Sequence, residues 1–187
     1  MKISDGQIHS PYFIFLEGRL SDHEILRLLG LENFLPVELT AHRREREVCI
    51  TEDNIWMHVA DDWWYTLWYK GLPILERLHC QRPQASLFAC SVGDSDDSFG
   101  FTLYAGGQLQ RRLEVHDPNF NRKARTVKVN VGNRLSIEDE EREKGEPWAY
   151  VSHLARQLGV VFNHKPENTR CYAAPSKRLA PTQPLAP

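Results

Sequence analysis

Residues 86–116 decide the fold: SLFACSV (86–92), the turn GDSDDS (93–98), FGFTLY (99–104), the glycine turn AGG (105–107) and QLQRRLEVH (108–116). Two apolar runs and one alternating run, each of strand length and separated by turn-forming residues, predict a three-stranded antiparallel meander. In the third run Leu109, Leu113 and Val115 alternate with Gln110, Arg112, Glu114 and His116, but Arg111 stands in the apolar phase. It is expected to be either an edge residue or a buried charge with a partner.

Towards the amino terminus, residues 12–16 form a β-rich run, and Ser21 with Glu24 makes a capping box ahead of Ile25, Leu26, Leu28 and Leu29, with Gly30 as the stop. Residues 37–40 and 48–51 read as strands around a charged bend, and 55–59 and 63–69 continue the meander. Pro73 permits a helix start, after which Ile74, Leu75 and Leu78 fall at helical spacing. Towards the carboxyl terminus, residues 117–125 are a polar, basic loop and 126–131 a β-branched strand, while 137–146 form an acid-rich linker. Pro147 then opens a helix carrying Tyr150, Val151, Leu154 and Leu158, which Gly159 ends. Residues 173–187, AAPSKRLAPTQPLAP, hold four prolines and almost no core formers, so they are expected to be a disordered tail. The expected fold is a single α+β domain over residues 1–172, mainly an antiparallel sheet of six to eight strands with two or three helices.

At 187 residues, with 41% hydrophobic and 26% charged residues, the chain is long enough and apolar enough to bury a core. A net charge of -2 gives no global attraction for nucleic acid or an anionic membrane. No apolar stretch reaches the length of a membrane span. Cys49, Cys80, Cys90 and Cys171 form no CxxC pair and are read as reduced core residues; with no apolar export segment near Met1, the cytoplasm is expected.

Asp94, Ser95, Asp96 and Asp97 follow an apolar strand, where acids can hold a divalent cation or accept protons. An EF-hand would need glycine where Phe99 stands, however, and a strand follows, so a solvated hairpin turn is the expected reading. The eight histidines form no metal-ligand spacing. His79 and Cys80 are neighbours in sequence and therefore point to different faces, whereas His116 beside Asp117 is the better acid/base candidate. No cofactor or metal is expected. Trp63, Trp64, Tyr65, Trp68 and Tyr69 place aromatics on both faces of a strand, as core or as an exposed platform. If exposed, they and the flanking Asp61 and Asp62 would suit a basic protein partner. Between 108 and 134 there are seven bases against two acids, and between 138 and 146 six acids against two bases. These are expected to be two solvated stripes that partly neutralise one another.

The hairpin from Gly93, Asp94, Ser95, Asp96, Asp97, Ser98, Phe99, Gly100 and Phe101 through Gly107, Gln108, Leu109, Gln110, Arg111 and Arg112 resembles a pattern in small bacterial proteins. Some of these are immunity proteins encoded beside polymorphic or type VI secreted toxins. A fainter echo lies in the helix over 148–158 and its following Gly159. The resemblance implies a non-enzymatic, partner-binding role and carries over no functional residue. The leading expectation is thus a cytoplasmic immunity protein that covers a toxin's active site through Asp61, Asp62, Trp63, Trp64, Asp94, Asp96 and Asp97. The alternatives are a small hydrolase or transferase using Asp94, Asp96, Asp97 or His116, with or without a divalent metal, and a structural or adaptor subunit.

Overall fold

The computed structural model describes residues 2–4, 7–39, 46–62, 66–93, 95–117, 119–162 and 165–175. In chain order these form β1 (Lys2–Ser4), β2 (Gln7–His9), β3 (Tyr12–Glu17), α1 (Asp22–Leu28), β4 (Leu35–Val37), β5 (Glu47–Glu52), β6 (Trp56–Ala60), α2 (Leu72–Gln81) and β7 (Leu87–Val92). There follow β8 (Phe99–Ala105), β9 (Gln108–His116), β10 (Thr126–Val131), the single turn α3 (Glu140–Glu143), α4 (Pro147–Gln157) and β11 (Arg170–Ala173). β1 and β2 pair only with each other, and the other nine strands form one antiparallel sheet in the order β10-β9-β8-β7-β3-β6-β5-β11-β4.

The architecture is α+β in a single domain, with one strand more than the upper expectation. β3, β6 and β7 are apolar at successive positions because both faces of the sheet are covered. On one face Phe13, Phe15, Phe88 and Phe101 pack against Tyr150, Val151 and Leu154 of α4. On the other Ile14, Leu16, Met57 and Ala89 pack against α1 and α2 through Ile25, Leu29, Ile74 and Leu78. Each such side chain, fully buried, contributes about 1.5–3 kcal/mol. α1 starts at the Ser21–Glu24 capping box, with both reciprocal bonds present.

The meander β7-β8-β9 matches the expectation, and it explains the phase of Arg111. The β8–β9 register shifts between Leu103 and Tyr104, which pair with Arg111 and Leu109 respectively. This bulge leaves Leu109 on the α2 face while Leu113 and Val115 face α4. Arg111 therefore shares the α4 face, buried, and its Nε donates to Glu138 Oε1 at 2.8 Å. The acid-rich linker thus turns inward at Glu138, and Arg134 meets Glu143 at 2.9 Å, so the basic and acidic stripes join in pairs.

Five expectations are corrected. Residues 66–70 are a turn leading into the 3-10 helix Trp68–Lys70 instead of a strand, because Asp61 and Asp62 take up their N–H groups; residues 63–65 lie outside the described residues. The strand expected at 37–40 lies at Leu35–Val37. The four cysteines are not all reduced: Cys49 and Cys171, directly opposite across β5 and β11, form a disulfide, while Cys80 is exposed and Cys90 buried. β11 itself was not anticipated, having only four residues and no periodic signal. Ala173, assigned to the tail, ends β11 and is buried, and Ala174 N–H donates to Arg46 O; residues 176–187 lie outside the described residues.

Candidate functional site

A groove crosses the α2 face of the sheet just before that helix begins. One lateral row reads Tyr12, Ser91, Gly100, Glu114 across β3, β7, β8 and β9, and the next reads Ile14, Ala89, Thr102, Arg112. α2 begins at Leu72, so the first row is left uncovered beneath Trp68. The deep end is a cavity of about 250 Å3 under Trp68, Leu72 and Leu75. The shallow end, about 480 Å3, runs past Tyr69, Asp96, Ser98 and His116 towards Lys128. Trp68, Ser91 and Glu114 belong to both.

The aromatic wall is hung from buried acids. Asp61 accepts N–H groups from Asp62, Leu67 and Trp68, each at 2.9 Å. Asp62 accepts the Glu47 N–H at 2.8 Å, and the N–H and hydroxyl of Thr66 at 3.0 and 2.8 Å. Leu67 is drawn into the core while Trp68 is left 42% and Tyr69 80% exposed. Burial pushes the Asp61 carboxyl up to about 7, outweighing its N–H donors.

Asp61 and Asp62 are fully buried, so they do not form the acidic surface expected of them. Their charge is spent on backbone N–H groups that a strand would have paired elsewhere. Trp63, Trp64 and Asp94 lie outside the described residues. Asp96 accepts the Ser98 N–H at 2.9 Å, and a Cβ on Gly93 would collide with its carboxylate, so this acid closes its own turn. Asp97 lies 3.7 Å from Arg125 Nη2. Of the seven sequence candidates, the four described ones are thus split between two buried acids, Asp61 and Asp62, and the turn that holds Asp96 and Asp97. Among the described residues no three of His, Cys, Asp and Glu are placed to hold a metal ion.

His116 does face the groove, with Nδ1 3.3 Å from Ser98 Oγ. Asp117 does not orient it: its carboxylate accepts from Asn121 N–H at 2.8 Å and Arg125 Nε at 3.3 Å, and its own N–H donates to Ser98 Oγ. The pair thus lacks the third group that positions an imidazole as base.

The sequence reading passed over Tyr12, Ser91, Thr102, Arg112 and Glu114. Their signal was available in the polar phase of β9 and in Gly100 and Thr102 two residues apart on β8, which place polar atoms on one face of a buried meander. Arg112 donates to Glu114 from Nε at 3.1 Å and Nη2 at 2.6 Å, presenting a paired donor and acceptor at the floor of the groove. Among the described residues no helix is long and apolar enough to cross a membrane. In comparisons with known proteins, no family model, curated protein or solved structure matches the chain.

Proposed function

We propose that the chain is a non-enzymatic binding protein that takes an extended segment of a protein partner along β10, beside the shallow end of the groove. The supporting observation is the state of that edge. β10 ends the sheet, is six residues long, and leaves Val127 53% and Val131 46% exposed, with Lys128 as its single charge. Two devices that blunt edges are present, Lys128 and the irregular register between Val127 and Val129, yet the strand keeps its length and two exposed valines, and strand addition uses such an edge for affinity and nearby pockets for specificity. Tyr69 supplies an exposed aromatic next to it. This replaces the acidic clamp, since Asp61 and Asp62 are buried; Trp63, Trp64 and Asp94 stay as candidates on the sequence alone. The resemblance noted above makes a secreted toxin domain the first partner to try, with the chain as its immunity protein. A disulfide is rare in a reducing cytosol, so the expected cytoplasmic location goes with a reduced Cys49 and Cys171.

Hydrogen exchange of the full chain with and without a purified toxin domain tests this reading. Slowed exchange over 126–131, lost in Val129→Pro, is expected. Binding with protection confined to other strands would overturn it.

One observation favours a hydrolase as second reading, namely the contact of Ser98 Oγ with His116 Nδ1 inside a groove. Turnover of simple esters or phosphate esters that disappears in both Ser98→Ala and His116→Gln would establish it; turnover that survives either change would remove it.

A further inference from the structure

The deep end of the groove holds three hydroxyls that the fold leaves unused. Tyr12, Ser91 and Thr102 are each less than a tenth exposed, they come from three adjacent strands, and all line the same cavity of about 250 Å3. None of their hydroxyl oxygens has a hydrogen-bond partner among the described residues. None of the three oxygens is among the buried atoms left unsatisfied, so each opens onto the space inside the cavity, where the hydroxyls of a ligand can take the place of water.

The rest of the cavity narrows what that can be. Arg112 and Glu114 form a close ion pair at the floor, so their charges cancel, and an ionic ligand would leave one charge uncompensated in a half-buried site. The same pair offers guanidinium N–H groups and carboxylate oxygens side by side, which matches neighbouring hydroxyls that both donate and accept. Gly100 keeps the floor open: a Cβ there would lie 3.2 Å from Glu114 Cγ and 3.5 Å from Ser91 Oγ. Trp68 and Leu72 form an apolar wall opposite. The volume has room for about eight waters at about 30 Å3 each, the scale of a single sugar ring.

From this juxtaposition we infer that the cavity is a binding site for an uncharged polyhydroxylated ligand of about hexose size, its hydroxyls on Tyr12, Ser91, Thr102 and the Arg112–Glu114 pair and its apolar face against Trp68. The site does not depend on partner binding at β10, since Tyr12 and Thr102 line only the deep end.

The test is NMR titration of the full chain with glucose, galactose, mannose and N-acetylglucosamine as separate probes, with acetate and ethylammonium as charged probes. At least one hexose is expected to give saturable shifts at the Ser91, Gly100, Thr102 and Leu72 amides in the millimolar range. Thr102→Val and Ser91→Ala should each weaken that binding at least tenfold. Both should keep the melting temperature, because each removes a hydroxyl with no partner in the fold. A cavity filled by water alone would respond to none of the four sugars, and that result overturns the proposal. So would hexose binding untouched by both variants, or acetate or ethylammonium producing the same shifts more strongly than any hexose. A variant that fails to fold is replaced by Thr102→Ser, which keeps the hydroxyl and must keep binding if the inference holds.

Discussion

The Trp68 N–H donates to Asp61 Oδ2 at 2.9 Å, so the aromatic wall of the groove is suspended from a carboxylate that solvent does not reach. Asp61 is at once a fully buried acid and the residue that sets where Trp68 stands.

That relationship predicts an unusual pH dependence. The Asp61 carboxyl sits near 7 in the fold against 3.8 when unfolded, so between about pH 4 and 7 the folded chain holds a proton that the unfolded chain has lost. Its contribution to stability is complete below about 4 and is lost as pH rises through about 7, on the order of a few kcal/mol. His58, whose pKa is lowered mainly by burial, acts in the opposite sense as pH falls below about 6.5, so the two are separated by difference. Denaturant melts of wild type and Asp61→Asn across this range should give a stability difference, wild type minus variant, that falls with rising pH. A difference that rises instead would mean that the three N–H donors outweigh burial.

Arg111 and Glu138 should behave as a unit. Glu138→Leu leaves the guanidinium buried with only Asn130 and the Val131 and Gly132 carbonyls, and is expected to cost about 3–5 kcal/mol. Arg111→Met combined with Glu138→Leu should recover most of that loss, because two buried charges are removed together. Urea melts of the two single variants and the double give the answer; additive losses would show that the pair is not the source.

Much of the architecture could be read locally, and what could not has identifiable causes. Ser21 with Glu24, Gly106 with Gly107, and Pro147 with Gly159 act through bonds a few residues away, so their positions in sequence suffice. The shifted phase of Leu109, which leaves Arg111 with Leu113 and Val115, reflects a bulge made opposite Leu103 and Tyr104 on another strand. Asp61 and Asp62 look like surface acids because their partners are backbone N–H groups, which carry no sequence signature. At the groove, Arg112 and Glu114 were visible as a polar phase, but that this face lies beyond the reach of α2 depends on where that helix begins.

Thiol counting decides the state of Cys49 and Cys171. Unfolded without reductant, the chain should show two reactive thiols, Cys80 and Cys90, and four after reduction. Cys171→Ser in the oxidised protein should lower stability by about 2–5 kcal/mol. Four thiols without reductant would mean that the pair is open.

Lysine in place of both Val127 and Val131 should leave folding unchanged within about 0.5 kcal/mol, since both side chains are largely in solvent. The same double change should abolish strand addition at β10, read as loss of complex on a sizing column. A protein that unfolds on this change would show β10 to be part of the core.

β11 lies between β5 and β4, and β4 pairs with nothing else in the sheet. During synthesis, then, the far side of the sheet waits for residues 170–173, almost the last to be made in the described chain. Until they arrive, β5 presents an open edge and β4 has no ladder to join, the condition in which nascent chains are most prone to pair with one another. A chain cut off before Arg170 would keep the strands that line the groove and leave one flank of the sheet unpaired, open to pairing with another chain.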